Sequence, residues 1–432
     1  MIQFSIELDL FALLAGVLAS LSCALLGNFL VLRRLSLMGD VISHSVLPGL
    51  VIAFLIAGTR APTAMFIGAA TAGVATVVLV ELVKRLGRVE PGAAMGVVFS
   101  VLFALGVLLI ERADVRHVDL DADCVLHGQL ETLYWPGAPD SISGLLSSGW
   151  IEAMPRQVWT LALMAALAAA FVGALYKELR IAAFDADLAT TLGFSSTWLH
   201  YALMIVVAAA TVAAFEAVGS ILVIAMLICP AATARLLTDR LGSQIVWSLV
   251  VALCASVGGY LGASSLPPIW GGDPATAAAA MGVASGVLLC AAIVAGPRHG
   301  LVAGALRRGS LSRSIAREDV LGALYRQHEA GHDRVDVAAL QRELRGHAVR
   351  VGVRGCSRRG QIWLTGETAG LTEAGKTAAA DLLRRHRLWE TYLVGEAGLA
   401  PDHVHDTAEL LEHVDVVPSR GTARDPHGRR IP

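Results

Sequence analysis

From Leu10 to Leu32 the chain carries no charged residue, and long apolar blocks of this kind recur as far as Ala295. Such blocks restrict the fold severely. Lipid offers no partner to a backbone N–H or C=O, so a spanning segment must bond within itself as a helix. Crossing the hydrocarbon core takes about 20 apolar residues. The candidate spans are Leu10–Leu32, Val41–Ala57, Ala61–Val80, Gly92–Ile110, Val158–Tyr176, Leu199–Phe215, Ala217–Leu236, Gln244–Ser264 and Thr276–Ala295. An α-helical membrane protein with about nine transmembrane helices is therefore expected. The start, Met1-Ile2-Gln3-Phe4-Ser5, has no basic region, so the first block is expected to be a retained span and not a signal peptide.

Composition changes after Ala295. Nine of the thirteen histidines lie beyond it, which argues for a small polar domain behind the membrane domain. The expected division is a transmembrane domain over 1–302, a linker over 303–316, a cytoplasmic domain over 317–418 and a disordered tail over 419–432. The six cysteines form no CxxC pair, which excludes a zinc knuckle of that type and suggests no disulfide framework.

Basic residues orient the spans. Arg33 and Arg34, then Lys84, Arg85 and Arg88, then Lys177 and Arg180, then Arg235 and Arg240, then Arg298, Arg307 and Arg308 all fall on one side of a nine-span count. By the positive-inside rule that side is cytoplasmic. The N-terminus and the loop Glu111–Gln157 are then outside, and the C-terminal domain is inside. The loop carries Asp114, His117, Asp119, Asp121, Asp123, Cys124, His127 and Glu131. It is not a calcium loop, because Cys124 and Leu130 stand where glycine and glutamate are needed. An acidic mouth of this kind would still concentrate divalent cations.

Three features inside the apolar region could carry chemistry. Asp40 and His44 are four apart and share a helix face. A carboxylate and an imidazole so placed can hold a transition metal, or Asp40 can cap a helix whose backbone holds His44. Glu216 is the one charge between Tyr201 and Ala234. It is either a functional group in search of a partner or a hydrogen-bonded glutamate at a hairpin tip. Lys177–Gly193 is amphipathic and ends on glycine, as a short surface helix able to dock a partner would.

The stretch Met38-Gly39-Asp40 through Ser43-His44 to Pro48-Gly49, the run Phe215-Glu216 to Thr233-Ala234 and the closing Gly296-Pro297-Arg298-His299-Gly300 together resemble the permease of the ABC transporters that import manganese, zinc or iron. The resemblance covers about residues 5–302. It implies a second permease subunit, identical or homologous, a separate cytoplasmic ATPase and an extracytoplasmic metal-binding protein. It places the ATPase contact on Lys177–Gly193 and metal contacts on Asp40, His44 and Glu216. The topology sets Asp40 and His44 near the cytoplasmic end of span two and Glu216 near the outer end of its span. Either span two is broken or tilted, or there are two sites.

In the polar domain, helices are expected over Glu318–His328, Val337–Leu344, Thr372–Val394 and Pro401–Val414, with a strand at Gln361–Leu364. Gly370–Thr377 matches the phosphate-loop pattern letter for letter. The domain is too short for a nucleotide-binding fold, however, and Glu373 would repel phosphate, so a turn before a helix is expected and no nucleotide. His386 and Glu390 are four apart. His405, Glu409, Glu412 and His413 form a second stripe on one helix face. These residues, with Leu371–Gly375, Arg385–Glu390, Val404–Asp406 and Leu411–Val414, are similar to the diphtheria-toxin-repressor family of metal-dependent regulators over about 317–415. The similarity implies a winged-helix-like and dimerisation domain. Its metal positions would be His386, Glu390, His405, Glu409, Glu412, His413 and Asp319. Glutamate at 409 is closer to manganese-type members than to those with sulfur there. Gly346–Gly360, with four glycines and β-branched residues, does not look like a recognition helix, which argues against DNA as a partner.

The expectation is a permease subunit in the cell membrane, importing divalent manganese, iron or zinc. The same class of metal would act on its cytoplasmic domain as a regulatory ligand. Its rivals are a membrane-tethered metal-responsive transcription regulator, which needs a true recognition helix, and a secondary transporter, which needs no ATPase.

Overall fold

The uncharged blocks are helices in the computed structural model. It describes residues 5–59, 61–112, 128, 130–135, 138, 152, 154–265, 267, 275–344, 346–413, 424–429 and 431. Contacts divide the chain into two units, Met1–Ala303 and Gly304–Pro432. The first unit contains α1 (Ile6–Leu32), α2 (Met38–Ser45), α3 (Leu47–Ala57), α4 (Pro62–Gly87), α5 (Pro91–Arg112), α6 (Arg156–Ala174), α7 (Tyr176–Phe184), α8 (Ala186–Thr191), α9 (Ser196–Leu237), α10 (Leu241–Ser265) and α11 (Ala277–Ala295). Eight helical stretches among the described residues are long and apolar enough to cross a membrane, and a shorter apolar arm, Leu222–Leu237, accompanies them. The histidines and acids from Asp114 to His127, in the loop expected outside, lie beyond the described residues.

Small residues let α1 lie deep among its neighbours. A Cβ on Gly27 would stand 1.9 Å from the Leu227 carbonyl oxygen, and one on Gly16 would stand 2.6 Å from Met281 Cε. Close backbone approach of this kind supplies the packing that the hydrophobic effect cannot supply between helices in lipid. Asn28 adds a polar clamp, donating to Ser248 Oγ of α10 at 2.7 Å.

Three expected spans differ in form. Span two is divided into α2 and α3 at Val46, whose φ of -70° and ψ of -25° stay helical, so the chain continues in the same direction across the junction. Pro48 has no N–H, so the carbonyl of His44 loses the donor that a continuous helix would supply. The sixth and seventh spans join as the 42 residues of α9, interrupted at Gly219, where φ is 76° and ψ is 167°. A straight helix of that length would run about 63 Å, twice a core about 30 Å thick. The break at Gly219 solves this, three residues after Glu216, with a backbone conformation reserved for glycine.

The second unit begins within α12 (Leu301–Glu329), so the expected linker over 303–316 is helical. It continues through β1 (Val335–Asp336), α13 (Val337–Glu343), α14 (Gly346–Arg358), β2 (Ile362–Thr365), β3 (Thr368–Leu371), α15 (Glu373–Gly395) and α16 (His405–Leu411). The strands form one antiparallel sheet in the order β1-β3-β2, with Val335 opposite Ala369 and Ile362 opposite Leu371. A helix pair followed by a two-stranded ribbon is a winged-helix arrangement.

Gly346–Gly360 requires correction: α14 is a helix of 13 residues. Val349, Val353 and Cys356 recur on one face and are buried. Gly352 is there for close packing, since a Cβ would meet the Ala316 carbonyl oxygen at 2.1 Å. Tertiary packing overrides the weak helix propensity of glycine and valine here. Gly370–Thr377 is a strand end and a helix start. Thr372 caps α15, its hydroxyl accepting from the Gly375 N–H. The expected helix over Pro401–Val414 is a 3-10 turn, Pro401–His403, followed by the short α16. Residues 424–429, expected within a disordered tail, form a turn, and Asp425 at its start is buried.

Candidate metal centres and docking surface

In the membrane unit, the α2–α3 junction sits directly beside the candidate pair. His44 Nε2 lies 3.3 Å from Asp40 Oδ1. The imidazole is edge-on to Phe99 of α5 at 5.5 Å and to Phe103 at 6.2 Å, centroid to centroid. Gly39 lets α2 lie flush on the second arm of α9, for a Cβ there would stand 2.4 Å from Leu227 Cδ1. The pair is partly exposed and supplies two donors. Glu216 does not join it. Among the described residues, two groups of three or more His, Cys, Asp or Glu bring their ligand atoms within 4.8 Å of one another, and both lie in the second unit.

The first group is His386, Glu390 and His405. α15 places His386 and Glu390 one turn apart on a buried face, and α16 brings His405 to them. His386 Nε2 is 3.1 Å from Glu390 Oε1 and 3.1 Å from His405 Nδ1, which is 3.0 Å from the same carboxylate oxygen. Metal–ligand bonds of about 2.0–2.2 Å require donors about 3–3.6 Å apart, so nitrogen and oxygen donors at this spacing fit a divalent transition ion.

The second group is Asp319, Glu412 and His413. His413 Nε2 is 3.3 Å from Asp319 Oδ1 and 3.9 Å from Glu412 Oε1. Its other ring nitrogen is 2.7 Å from Glu318 Oε2. Glu318 thus holds the ring in orientation, the part an outer partner plays for a ligating histidine. Glu412 serves both groups. While one oxygen faces His413, the other lies 2.6 Å from His386 Nδ1.

These contacts set the charge states. Burial by itself would lower the pKa of His386, but Glu390 and Glu412 outweigh it and hold the imidazole up at about 9. Asp319 and Glu318 likewise hold His413 up at about 9. Glu390 is pushed up by burial and pulled down further by His386 and His405, to about 2. Glu318 is also lowered, its pairing with His413 prevailing over burial.

The stripe expected on one helix face is corrected. α16 ends at Leu411, so Glu412 turns toward His386 and His413 toward Glu318 and Asp319. Glu409 stays on the exposed side and enters neither group. Glu318 was missed from the sequence, although it neighbours Asp319 and lies on the same helix.

The amphipathic segment Lys177–Gly193 is two helices instead of one. Asp185 divides them and caps α8, accepting from the N–H groups of Asp187 and Leu188 at 3.0 and 2.9 Å. Gly193 closes α8 with φ of 89°. Leu179, Ala182 and Ala189 are buried, whereas Phe184, Leu188 and Leu192 are exposed. The segment thus anchors itself by one face and leaves an apolar face exposed.

Comparison with known proteins finds relatives of both units. The model of the ABC 3 transport family matches residues 5–134 and 149–295. The model of the iron dependent repressor, metal binding and dimerisation domain matches residues 372–415. The chain is 37% identical over 301 residues, 70% of this chain and 96% of the relative, to the manganese transport system membrane protein MntD of Bacillus subtilis. It is 38% identical over 290 residues, 67% of this chain and 74% of the relative, to the zinc transport system membrane protein TroD of Treponema pallidum. The solved structure of PsaBC from Streptococcus pneumoniae in complex with Fab aligns with a TM-score of 0.53 and 27% identity, covering 67% of this chain and 91% of that one.

Proposed function

Because this chain belongs to the ABC 3 transport family, we propose that its first unit is the permease subunit of an importer for a divalent transition metal. Manganese and zinc come first, since relatives are named for them. The observation that carries the reading is the Asp40–His44 pair on α2, just before the proline-marked α2–α3 junction. It presents one oxygen and one nitrogen donor beside the backbone carbonyl that Pro48 leaves without a helical donor. Two donors are too few for a transition ion, which takes four to six. A second permease subunit would double the set. Glu216, beside the break at Gly219, is proposed as a separate contact on the path.

ATP hydrolysis is assigned to a separate ATPase that docks on Phe184, Leu188 and Leu192, and delivery of the ion to an extracytoplasmic metal-binding protein. In this reading the N-terminus is outside and the second unit cytoplasmic, in accord with the positive-inside rule. The His386, Glu390, His405 and Asp319, Glu412, His413 groups are proposed as regulatory centres for the same class of ion. Purification from cells carrying the chain's chromosomal neighbours tests this. A co-purifying ATPase supports the reading, and its absence from every preparation that transports metal contradicts it.

One observation favours a second activity. α14 is a true helix in a winged-helix setting, with Arg350, Arg354 and Arg358 exposed on it and Arg359 exposed just past its end. The sequence argument against DNA therefore falls. A gel-shift assay of the full chain against genomic fragments, with and without manganese, tests for a membrane-tethered regulator. Sequence-selective, metal-dependent shifts would establish that activity.

A further inference from the structure

Beyond both metal groups, the C-terminal residues Arg424–Arg429 form a turn built around Asp425. The Asp425 carboxylate accepts from the N–H groups of His427 at 3.0 Å and Arg429 at 2.7 Å. Its carbonyl accepts from the Gly428 N–H at 2.9 Å, and Gly428 has φ of 78°. Asp425-Pro426-His427-Gly428 carries the residues a type I turn favours at its first, second and fourth positions. The third position belongs to His427. The side chains of three of the four residues thus suit the turn, whereas His427 contributes its N–H alone and its imidazole is free of that duty.

The turn is anchored beside the first metal group. The second oxygen of the Asp425 carboxylate lies 3.7 Å from Nε of Arg387. Both side chains are buried, and Arg387 stands on α15 between His386 and Glu390. Arg387 also donates to Glu329 of α12 at 2.8 Å. Pulling Asp425 away would leave a buried guanidinium short of one counter-charge, an expensive loss in a poorly solvated place. In the anchored position His427 Nε2 lies 3.9 Å from Glu390 Oε1, the carboxylate oxygen that His386 and His405 also approach.

We propose that His427 is a further ligand of the His386, Glu390 and His405 group, and that the C-terminal turn is a strap whose docking is linked to metal occupancy. This rests on the reading of that group as a metal centre. Its three donors leave coordination positions open to a divalent transition ion, which accepts another neutral imidazole readily. His427 is 35% exposed, so its ring can close the last few tenths of an ångström. An ion that gains this ligand binds the docked form better than the undocked one, and docking is favoured by the same factor.

The test uses the purified full chain in detergent micelles with Co²⁺ as the probe, read by its visible absorbance and by tryptic cleavage after Arg424. A His386→Ala variant identifies the part of the signal that belongs to this group. In the wild type, Co²⁺ is expected to slow cleavage after Arg424 about tenfold. His427→Ala is expected to weaken binding at this group by about ten- to a hundredfold, the range seen for lost partners of metal ligands. It should also alter the spectrum and abolish the protection. Asp425→Asn, which keeps all four donors but weakens the anchor, should reduce the protection as well. Unchanged affinity, spectrum and protection in His427→Ala would overturn the inference while leaving the metal centre standing. A wild-type signal indifferent to His386→Ala would overturn the metal centre, and the inference with it.

Discussion

Metal binding by the second unit should tighten steeply with rising pH, over a range where an ordinary histidine has stopped responding. A ligating imidazole must be neutral. His386 and His413 are each held up at about 9, by Glu390 and Glu412 against burial in the first case and by Asp319 and Glu318 in the second. At pH 7 each ring therefore carries a proton that the ion has to displace. Two pH units at 1.36 kcal/mol each amount to about 2.7 kcal/mol, or about a hundredfold in affinity for each centre. An imidazole at about 6.5 would forfeit only a few tenths of a kcal/mol at that pH. Titration calorimetry of the full chain with manganese, in buffers of different protonation enthalpy, measures both affinity and protons released. The expected result is about one proton per centre near pH 7 and a roughly tenfold gain per pH unit between about 7 and 8.5. Affinity that levels off above about pH 7, or binding without proton release, would refute the charge assignment.

Three other perturbations probe the rest of the molecule. Without metal, the raised pKa values of His386 and His413 contribute stability that is fully present below about 6.5 and lost as pH rises through about 9. The second unit should accordingly melt earlier at pH 9 than at pH 6 in scanning calorimetry, and added metal should reverse the order. Leu188→Glu places a charge on the exposed apolar face of α8. ATP hydrolysis measured in the reconstituted complex should fall to the level of the ATPase alone, whereas full stimulation would move the contact elsewhere. Gly219→Ala forces a side chain into the conformation at φ 76° and ψ 167°. A cost of about 1–3 kcal/mol is expected, seen as a lower thermal midpoint in detergent.

The sequence speaks most clearly where one physical rule dominates. Backbone satisfaction in lipid reveals the spans, so Leu10–Leu32 and its successors stand out from hydropathy alone. The i,i+4 rule likewise identifies Asp40–His44 and His386–Glu390, because both partners of each pair lie on one helix. Whatever depends on several elements at once is less visible. No local rule shows that α16 stops at Leu411 and sends Glu412 and His413 to different partners. The break falls at Gly219 and not at Glu216 itself, because glycine's permissiveness there is a backbone property without a hydropathy signal. α14 is hidden in the sequence because Gly352 looks like a helix breaker, whereas its missing side chain makes room for the Ala316 carbonyl. Glu318 and His427 reach their partners from 95 and 37 residues away. For His427, the Asp-Pro-His-Gly turn was the one available clue.

The central claim is that a transition ion crosses the membrane unit by way of the Asp40–His44 pair, driven by an ATPase on another chain. The most direct test is manganese uptake into proteoliposomes containing this chain and its co-purified ATPase, with and without ATP, for the wild type and for His44→Leu. Uptake that needs ATP and is lost in His44→Leu, with the variant still inserted and still bound to the ATPase, is the predicted result. Uptake that proceeds without ATP, or at the wild-type rate in His44→Leu, would contradict the account.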